Sequence, residues 1–423
     1  MKTMCRIIIT LTLLLFCMPA RPYTLVAQEI KEYPLEALIR TAMENYRLLE
    51  IKKSEIAQKE ALSMHEKRWD NPEAGATLGS KKTGSESGLA YSVTLSQKLP
   101  LWGKKGLAAG ITKLEGKEAE IDLEEIKLAL RYEITRLAYE YSRDLMKKKH
   151  IRERLQRIKL ANAYMHGHIQ VSPQRIVERN IVQAKLKQME MEFLEIHKNI
   201  KMSYNALNRY LKFPGGENFK VSIRWFAHAP VLSFEDLLLL AEKGNYDIRR
   251  REVAVARAEK ELDLAKREVL PDIGVSLFYH DDTMNNREQI FGGGVIMPLP
   301  LLSRNTHAVK KGSLNAKAQE LTLLQMKESL SQKLRELHAE YEYAAGLLAL
   351  FPLEKLDTLE EKMDYADAEF RKGRITLVTY LEMDNTLHEN IESVYHAQLS
   401  MVRVYTELLF LSAVTKQVEG DLP

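Results

Sequence analysis

Two kinds of hydrophobic spacing follow one another along this 423-residue chain, and the pair occurs twice. Leu89, Tyr91, Val93 and Leu95 alternate with Ala90, Ser92, Thr94 and Ser96. That period of two predicts a strand with one apolar face and one wet face. A partner run, Glu73 to Ser80, precedes it across Lys81 to Gly88, a stretch whose glycines, serines and lysines predict a flexible turn-forming loop. Further on, Ile273, Val275, Leu277 and Tyr279 alternate in the same way, and Phe291 to Met297 returns after a polar loop from Asp281 to Arg287. The glycines at 292 to 294 weaken that last strand. Beyond each pair the period changes to three and four. Leu123, Ile126, Leu130, Ile134, Leu137 and Tyr141 fall on one helical stripe, and Leu323, Met326, Leu330, Leu334, Leu337 and Tyr341 fall on another 200 residues later. The change happens at a corner that is itself repeated, Gln97-Lys98-Leu99-Pro100-Leu101 and Met297-Pro298-Leu299-Pro300-Leu301.

These patterns predict a chain doubled at an offset of 200. Helical regions run from about Pro34 to Arg68 and from Phe234 to Glu268, each holding an Asn-Tyr pair (Asn45-Tyr46, Asn245-Tyr246) and each ending near a helix-breaking proline, Pro72 or Pro271. No proline interrupts the chain from Pro100 to Pro173, so a helix of some 60 residues, on the order of 90 Å at 1.5 Å per residue, follows the first corner. The second such run extends to Pro352. Reversals are expected at His166-Gly167-His168 and at Arg371 to Arg374, with return helices to about Leu211 and Leu411. The expected organisation is a signal peptide over 1–27, a first repeat over 28–212, a linker over 213–232 that packs on the outside of the helical wall, and a second repeat over 233–423. The two hairpins are expected at 73–100 and 272–300.

Composition narrows what such a chain does. With 62 basic residues interleaved among 58 acidic ones, the net charge of +4 gives no block suited to nucleic acid. Lys2 and Arg6, an apolar core from Ile7 to Phe16 and Leu25-Val26-Ala27 read as an export signal. Both cysteines, Cys5 and Cys17, lie inside it, so cleavage leaves no thiol for disulfides or metal ligation; Cys17 as a lipidation site is disfavoured by the bulky Phe16 before it. Past Ala27 no apolar run approaches the roughly 20 residues of a membrane helix, while the strand runs match tilted membrane strands in length. An ordinary hairpin on a soluble surface has the same periodicity. Four strands cannot close a barrel alone, so the membrane reading requires several chains.

On these residues the chain resembles the outer-membrane efflux protein family, the TolC-like channels. The likeness rests on the repeated strand corner, with Leu99-Pro100-Leu101-Trp102-Gly103-Lys104-Lys105, and on the run Tyr365 to Leu387. There Phe370, Gly373, Ile375-Thr376 and Leu381, with Pro352 upstream, stand where the family has an aromatic, a tip glycine, a small hydroxyl residue, an apolar anchor and a helix-break proline. The first corner also resembles the branch paired with heavy-metal resistance-nodulation-division pumps, although Leu302-Ser303-Arg304-Asn305 in the second copy lacks the Gly-Lys pair. The resemblance implies a mainly α fold with a membrane β-barrel portion. Three chains would each give four strands to a twelve-stranded barrel in the Gram-negative outer membrane, above a periplasmic α-barrel of long antiparallel helices. It implies a homotrimer in outer-membrane lipid, working with a periplasmic adaptor and an inner-membrane RND or ABC pump. The competing class is a periplasmic coiled-coil scaffold or adaptor without a pore.

No catalytic constellation, phosphate loop or cofactor signature is present, and passage rather than reaction is expected. His166 and His168 lack an evident third ligand, so no metal site is assigned. The resemblance makes the helix-turn-helix tips, Gly167, Val171 and Ser172 with Gly373, Ile375 and Thr376, the candidates for adaptor docking. It also places Arg175, Glu178, Thr379 and Glu382 at the pore constriction. In a trimer Glu178 and Glu382 would form a ring of six carboxylates that attracts cations, or else would simply face solvent. At the corners, Leu99, Pro100, Leu101 and Trp102, with Leu299, Pro300 and Leu301, suit a membrane–water boundary or a packing role.

Overall fold

The computed structural model describes residues 31–167, 172–213, 219–230, 233–283, 287–300 and 304–414. A short strand β1 (Lys31–Pro34) leads into helices α1 (Leu35–Asn45) and α2 (Arg47–Lys67). The sequence predicted one helix here; the chain instead kinks at Tyr46, whose backbone is extended at φ −84°, ψ 94°. The second half does the same with α5 (Phe234–Gly244) and α6 (Tyr246–Arg267), broken at Asn245. The repeated asparagine explains both breaks. Asn45 Nδ2 donates to the Leu211 carbonyl at 2.7 Å, and Asn245 Nδ2 donates to the Leu411 carbonyl at 3.0 Å. Each amide ties a kink to the last turn of a return helix, whose final carbonyls have no partner within the helix.

The corner is followed by α3 (Lys104–His166), 63 unbroken residues or about 95 Å, and by its return α4 (Pro173–Leu211). The second copy is jointed: α7 (Thr306–Leu350) stops at Phe351-Pro352, α8 (Lys355–Arg371) resumes the descent, and α9 (Leu377–Leu411) returns. Leu130, Ile134, Leu137 and Tyr141 are buried, as are Leu330, Leu334, Leu337 and Tyr341. In its upper part the wall is a layer of four helices in the order α2, α3, α6, α7; in its lower part the order is α4, α3, α9 and then α7 continued by α8. Among the described residues no helix is long and apolar enough to cross a membrane.

The described residues after α4 lie against this wall. Strand β4 (Phe219–Ser222) pairs in parallel with β1. Tyr141 Oη donates to the Phe219 carbonyl at 2.9 Å, and Tyr139 Oη to the Arg224 carbonyl at 2.5 Å. The fully buried Gln398 on α9 accepts from the Phe226 amide and donates to its carbonyl. One side-chain amide thus does for the linker backbone what a neighbouring strand would do.

Four strands form a single antiparallel sheet in the order β2 (Glu73–Thr83), β3 (Glu86–Leu99), β5 (Ile273–Asp282), β6 (Glu288–Ile296). Two expectations are corrected here. Lys81 to Gly88 is not a flexible loop: the ladder continues to Thr83 opposite Glu86, closed by Gly84-Ser85 with Gly84 at φ +61°. Likewise Asp281 and Asp282 belong to β5, because both carboxylates find partners along the ladder (below). Gly292 to Gly294 do form strand, and the glycine is required: a Cβ on Gly292 would lie 2.5 Å from the Phe278 ring across the ladder.

Asn245→Ala removes the tie to Leu411 and also the bonds its Oδ1 accepts from the Asp247 and Ile248 amides. We expect a loss of about 2 kcal/mol, against about 1 kcal/mol for Asn45→Ala, which removes only the tie. Thermal melting of the two variants in detergent measures the difference; equal losses would mean that the cap bonds contribute nothing.

Candidate functional site

Register decides what each face of the sheet shows. Ala76, Val93, Tyr279 and Phe291 form one cross-strand row, and Ala74, Leu95, Leu277 and Gly293 form the row below it. Val93, Leu95, Leu277, Phe291 and Val295 share this face and are exposed, Phe291 by 77%. Thr77, Ser92, Thr94, Ser96 and Ser276 share the other face, together with Phe278, His280, Ile290 and Ile296. The first face is a continuous band of unpartnered aliphatic and aromatic side chains, as contact with lipid requires, whereas the second is mixed, with exposed Ile290 and Ile296 among its hydroxyls. At one end of the band the carboxylate of Asp281, on the apolar face and fully buried, accepts from Tyr91 Oη at 2.7 Å, Tyr279 Oη at 2.9 Å and Gln289 Nε2 at 3.0 Å. Arg287 adds two-pronged contact, with Nη2 at 2.6 Å. Its neighbour Asp282 pairs with Lys81 at 2.7 Å. At the other end Trp69 and Trp102 are exposed, so aromatics mark both boundaries of the band. Within the chain β2 and β6 are edge strands.

The first corner is bolted to the second half of the chain. Lys104 Nζ donates to the Leu270 carbonyl at 2.6 Å and to Asp272 Oδ1 at 2.9 Å, and the Leu101 amide donates to the same oxygen at 3.3 Å. Trp102 Nε1 donates to the Pro271 carbonyl, while Arg267 donates to the Trp102 carbonyl. These bonds hold Trp102 at φ +63° and Gly103 at φ +69°, the left-handed turn that sends the chain from β3 into α3. Leu99 ends β3 opposite Ile273, and Pro100 follows it out of the sheet. In the second corner Asn305 takes the left-handed position at φ +53° and donates to the Ala265 carbonyl at 3.1 Å. Asparagine tolerates this conformation, so the Gly-Lys pair is dispensable there. Leu299 and Pro300 are exposed, and Leu301 lies outside the described residues.

At the tips the two halves meet. Tyr164, Arg175, Glu178, Phe370, Arg374 and Thr376 are among the residues lining one groove of about 460 Å³. Gly373 is a genuine turn glycine at φ +71°. Gly167 is not, and this corrects its reading as a tip glycine: its φ of −73° is ordinary helix, available to any residue. Ser172 and Thr376 prove to be helix N-caps, their hydroxyls accepting from the Arg175 and Thr379 amides. Ile375 packs into the lower core, and Val171, like His168, lies outside the described residues. Arg175, Thr379 and Glu382 are exposed; Glu178 is half-buried and accepts from Gln174 at 3.0 Å. Counted from their caps, Arg175 matches Thr379 and Glu178 matches Glu382. Among the described residues no group of three potential ligands could hold a metal ion.

Just above the tips lies a polar junction that the sequence reading missed. Arg154 on α3, 2% exposed, donates from Nε to Asp384 on α9 at 2.7 Å and from Nη2 to Asn385 at 2.9 Å, and its Nη1 stands 3.6 Å from Glu192 on α4. His388 Nε2 is 3.3 Å from the same Glu192, and its Nδ1 is 3.1 Å from His150 Nε2, with the two rings within 6° of parallel. Lys185 donates to Asn385 at 2.6 Å. Three helices are thereby joined by charge. Burial pushes the Glu192 carboxyl up, but its bond to His388 and the charges of Arg154 and Lys147 prevail and hold it below the usual range. Burial and Arg154 push Lys185 down. The usable signal was a charge on an apolar stripe: Arg154 among Ile151, Leu155 and Ile158, and Asp384 among Leu377, Leu381, Leu387 and Ile391.

Burial first, then the neighbouring His388, Arg157 and Arg154, push His150 down to about 3 from its ordinary 6.5. Between those values the unfolded chain binds a proton that the folded chain refuses, so stability is present above pH 6.5 and lost as pH falls towards 3. At pH 5 the loss amounts to about 2 kcal/mol. We expect His150→Gln, which keeps a donor for His388, to lower the melting temperature less than wild type does between pH 7.5 and pH 5. Parallel pH curves for the two proteins would assign the acid sensitivity elsewhere.

Residues 237–412, most of the second repeat, match the model of the family described as outer membrane efflux protein. No curated protein sequence matches the chain. Among solved structures the fold is similar to the outer membrane protein VceC of Vibrio cholerae, at 13% identity and a TM-score of 0.68 over 89% of this chain and 95% of that one. It is also similar to the Campylobacter jejuni CmeC outer membrane channel, at 14% identity and 0.68 over 89% and 85%. The open state of the Neisseria gonorrhoeae MtrE outer membrane channel gives 14% identity and 0.70 over 89% and 88%. The second repeat thus carries the segment described as outer membrane efflux protein, and along nearly its whole length the chain has a fold similar to those of these outer-membrane channels.

Proposed function

We propose that three copies of this chain close into one duct through the outer membrane and across the periplasm, the exit stage of a tripartite efflux or type I secretion system. One observation carries the reading: the chain is an open segment with unsatisfied margins on both sides, in the sheet and in the helical layer. The sheet ends in unpaired β2 and β6. The helical layer ends on one side in α2 and α4, which expose Ile51, Met64, Met191 and Leu194, and on the other in α7, which exposes Leu314, Leu321, Leu324 and Leu350. Identical copies joined margin to margin satisfy all of these together, and three copies supply twelve strands. The recurrence of the same parts 200 residues apart supports an internal duplication.

Twelve helices at about 10 Å spacing make a ring of about 19 Å radius, leaving an interior of about 14 Å after the helices' own half-width. A linker layer about 10 Å thick lining the inside would leave a bore of only about 4 Å radius, so β1, β4 and the linker lie outside. The paired tips face an adaptor, with an inner-membrane pump of the RND or ABC class beyond it. Glu178 and Glu382, matched in position on α4 and α9, supply six carboxylates to the narrow end, and this arrangement favours cations.

The native protein should leave membranes only with detergent and sediment as a trimer, whereas Met191→Glu with Leu194→Glu on the α4 margin should shift it to monomer. Wild type that sediments as a soluble monomer would overturn the assembly. In planar bilayers, Glu178→Gln with Glu382→Gln should reduce the preference for cations severalfold; unchanged selectivity would refute the ring.

A further inference from the structure

We infer that the outer face of the duct carries a collar of cationic grooves that bind the carboxylate-bearing stem peptides of the peptidoglycan cell wall. The inference rests on the channel reading above, which places this face in the periplasm. Under β1 and β4 a groove of about 620 Å³ runs along α3. Its floor is apolar, with Leu145, Met146, Ile200, Phe219 and Val221, and its rim carries Lys148, Lys149, Arg152 and Lys220 against a single carboxylate, Glu32. Leu145, Lys148, Lys149 and Arg152 share one face of α3 at helical spacing, so the cations rise in a row from the floor.

These charges are not consumed within the fold. Elsewhere on the wall cations are answered at close range, as Arg136 is by Glu133 and Glu140, and Lys147 by Glu392. Lys149 approaches Glu153 only at 4.0 Å. Lys148, Arg152 and Lys220 make no ion pair among the described residues, and Lys220 is exposed although Glu32 is its partner in the strand register. A surplus of three positive charges over an apolar floor selects a ligand with both carboxylates and small apolar groups. Lys148 lies 44 residues into α3, about 65 Å below the corner where the chain leaves the membrane. At that depth outside the duct, an extended polymer with repeating free carboxylates is the ligand that three equivalent grooves would engage together, gaining affinity by multivalency.

The test pellets purified full-length trimer with isolated peptidoglycan sacculi. Wild type should co-sediment at low salt, and binding should fall steeply towards about 0.3 M salt and on sacculi whose carboxylates have been amidated. Lys148→Glu/Arg152→Glu/Lys220→Glu should weaken binding at least tenfold, while Lys53→Glu/Lys113→Glu/Lys117→Glu, an equal reversal elsewhere on the surface, should change it less than twofold. Wild type that stays in the supernatant while forming channels in planar bilayers would overturn the collar and leave the channel standing; an acidic protein would then be the groove's occupant. Equal pelleting of the two triple variants would overturn it as well. Absence of channels would instead count against the duct itself.

Discussion

Backbone amides and carbonyls at a sheet edge cannot be left in hydrocarbon, where no water replaces the missing partner. This single requirement governs the rest of the molecule. A sheet of four strands has two such edges, and its apolar face rules out retreat into water. Closure by symmetric copies removes the edges, and the helices that continue from the strands must then form a ring of the same symmetry. The left-handed turns at Trp102-Gly103 and Asn305 transmit the symmetry of the strands to the helices, because they fix how each long helix leaves the sheet. The network of Lys104, Asp272, Arg267 and Trp102 binds the first corner to the junction between α6 and β5, so the two halves of the chain are held together where the helices meet the sheet.

Much of this was legible in the sequence because two periodicities and their shared corner are physical statements in themselves. Leu89 to Leu95 define a face by their spacing alone, and Leu130 to Tyr141 a buried stripe. Where the reading failed, it treated polar residues as loop residues. Lys81, Asp281 and Asp282 belong to strands because their charges are met within the sheet, Lys81 and Asp282 by each other and Asp281 by Tyr91, Tyr279, Gln289 and Arg287. The Lys81–Asp282 and Tyr91–Asp281 contacts span 201 and 190 residues and leave no local trace, while Tyr279, Arg287 and Gln289 are near Asp281 in sequence but meet it only once the strand register is set. The glycines at 292 to 294 misled for a related reason, since Gly292 is set by the Phe278 ring on the neighbouring strand.

The candidate site divides in the same way. Gly373, Thr376 and Ser172 were singled out through the resemblance, and the structure gives Thr376 and Ser172 a capping role that their residue types carry with them. The Arg154 junction was not found, although a charge interrupting an apolar stripe is a visible anomaly. Its partners lie on three helices, and the stripe alone could not say whether the charge was buried and answered or merely turned to solvent. Burying Arg154 with Asp384, Asn385 and Glu192 fixes the relative height of α3, α4 and α9, because a slip by one residue would leave each charge without its counterpart.

The two descending helices differ in one respect that bears on the whole tube. Alpha-helix α3 is a single stave of 63 residues, whereas its counterpart is spliced at Phe351-Pro352, where the hydrogen-bond ladder stops and restarts. In the proposed trimer, stiff and articulated staves therefore alternate, three of each. A torque applied to the lower rim would be carried upward by the first kind and absorbed at the splice by the second, so the upper tube and the strands above it would feel only part of a movement at the tip.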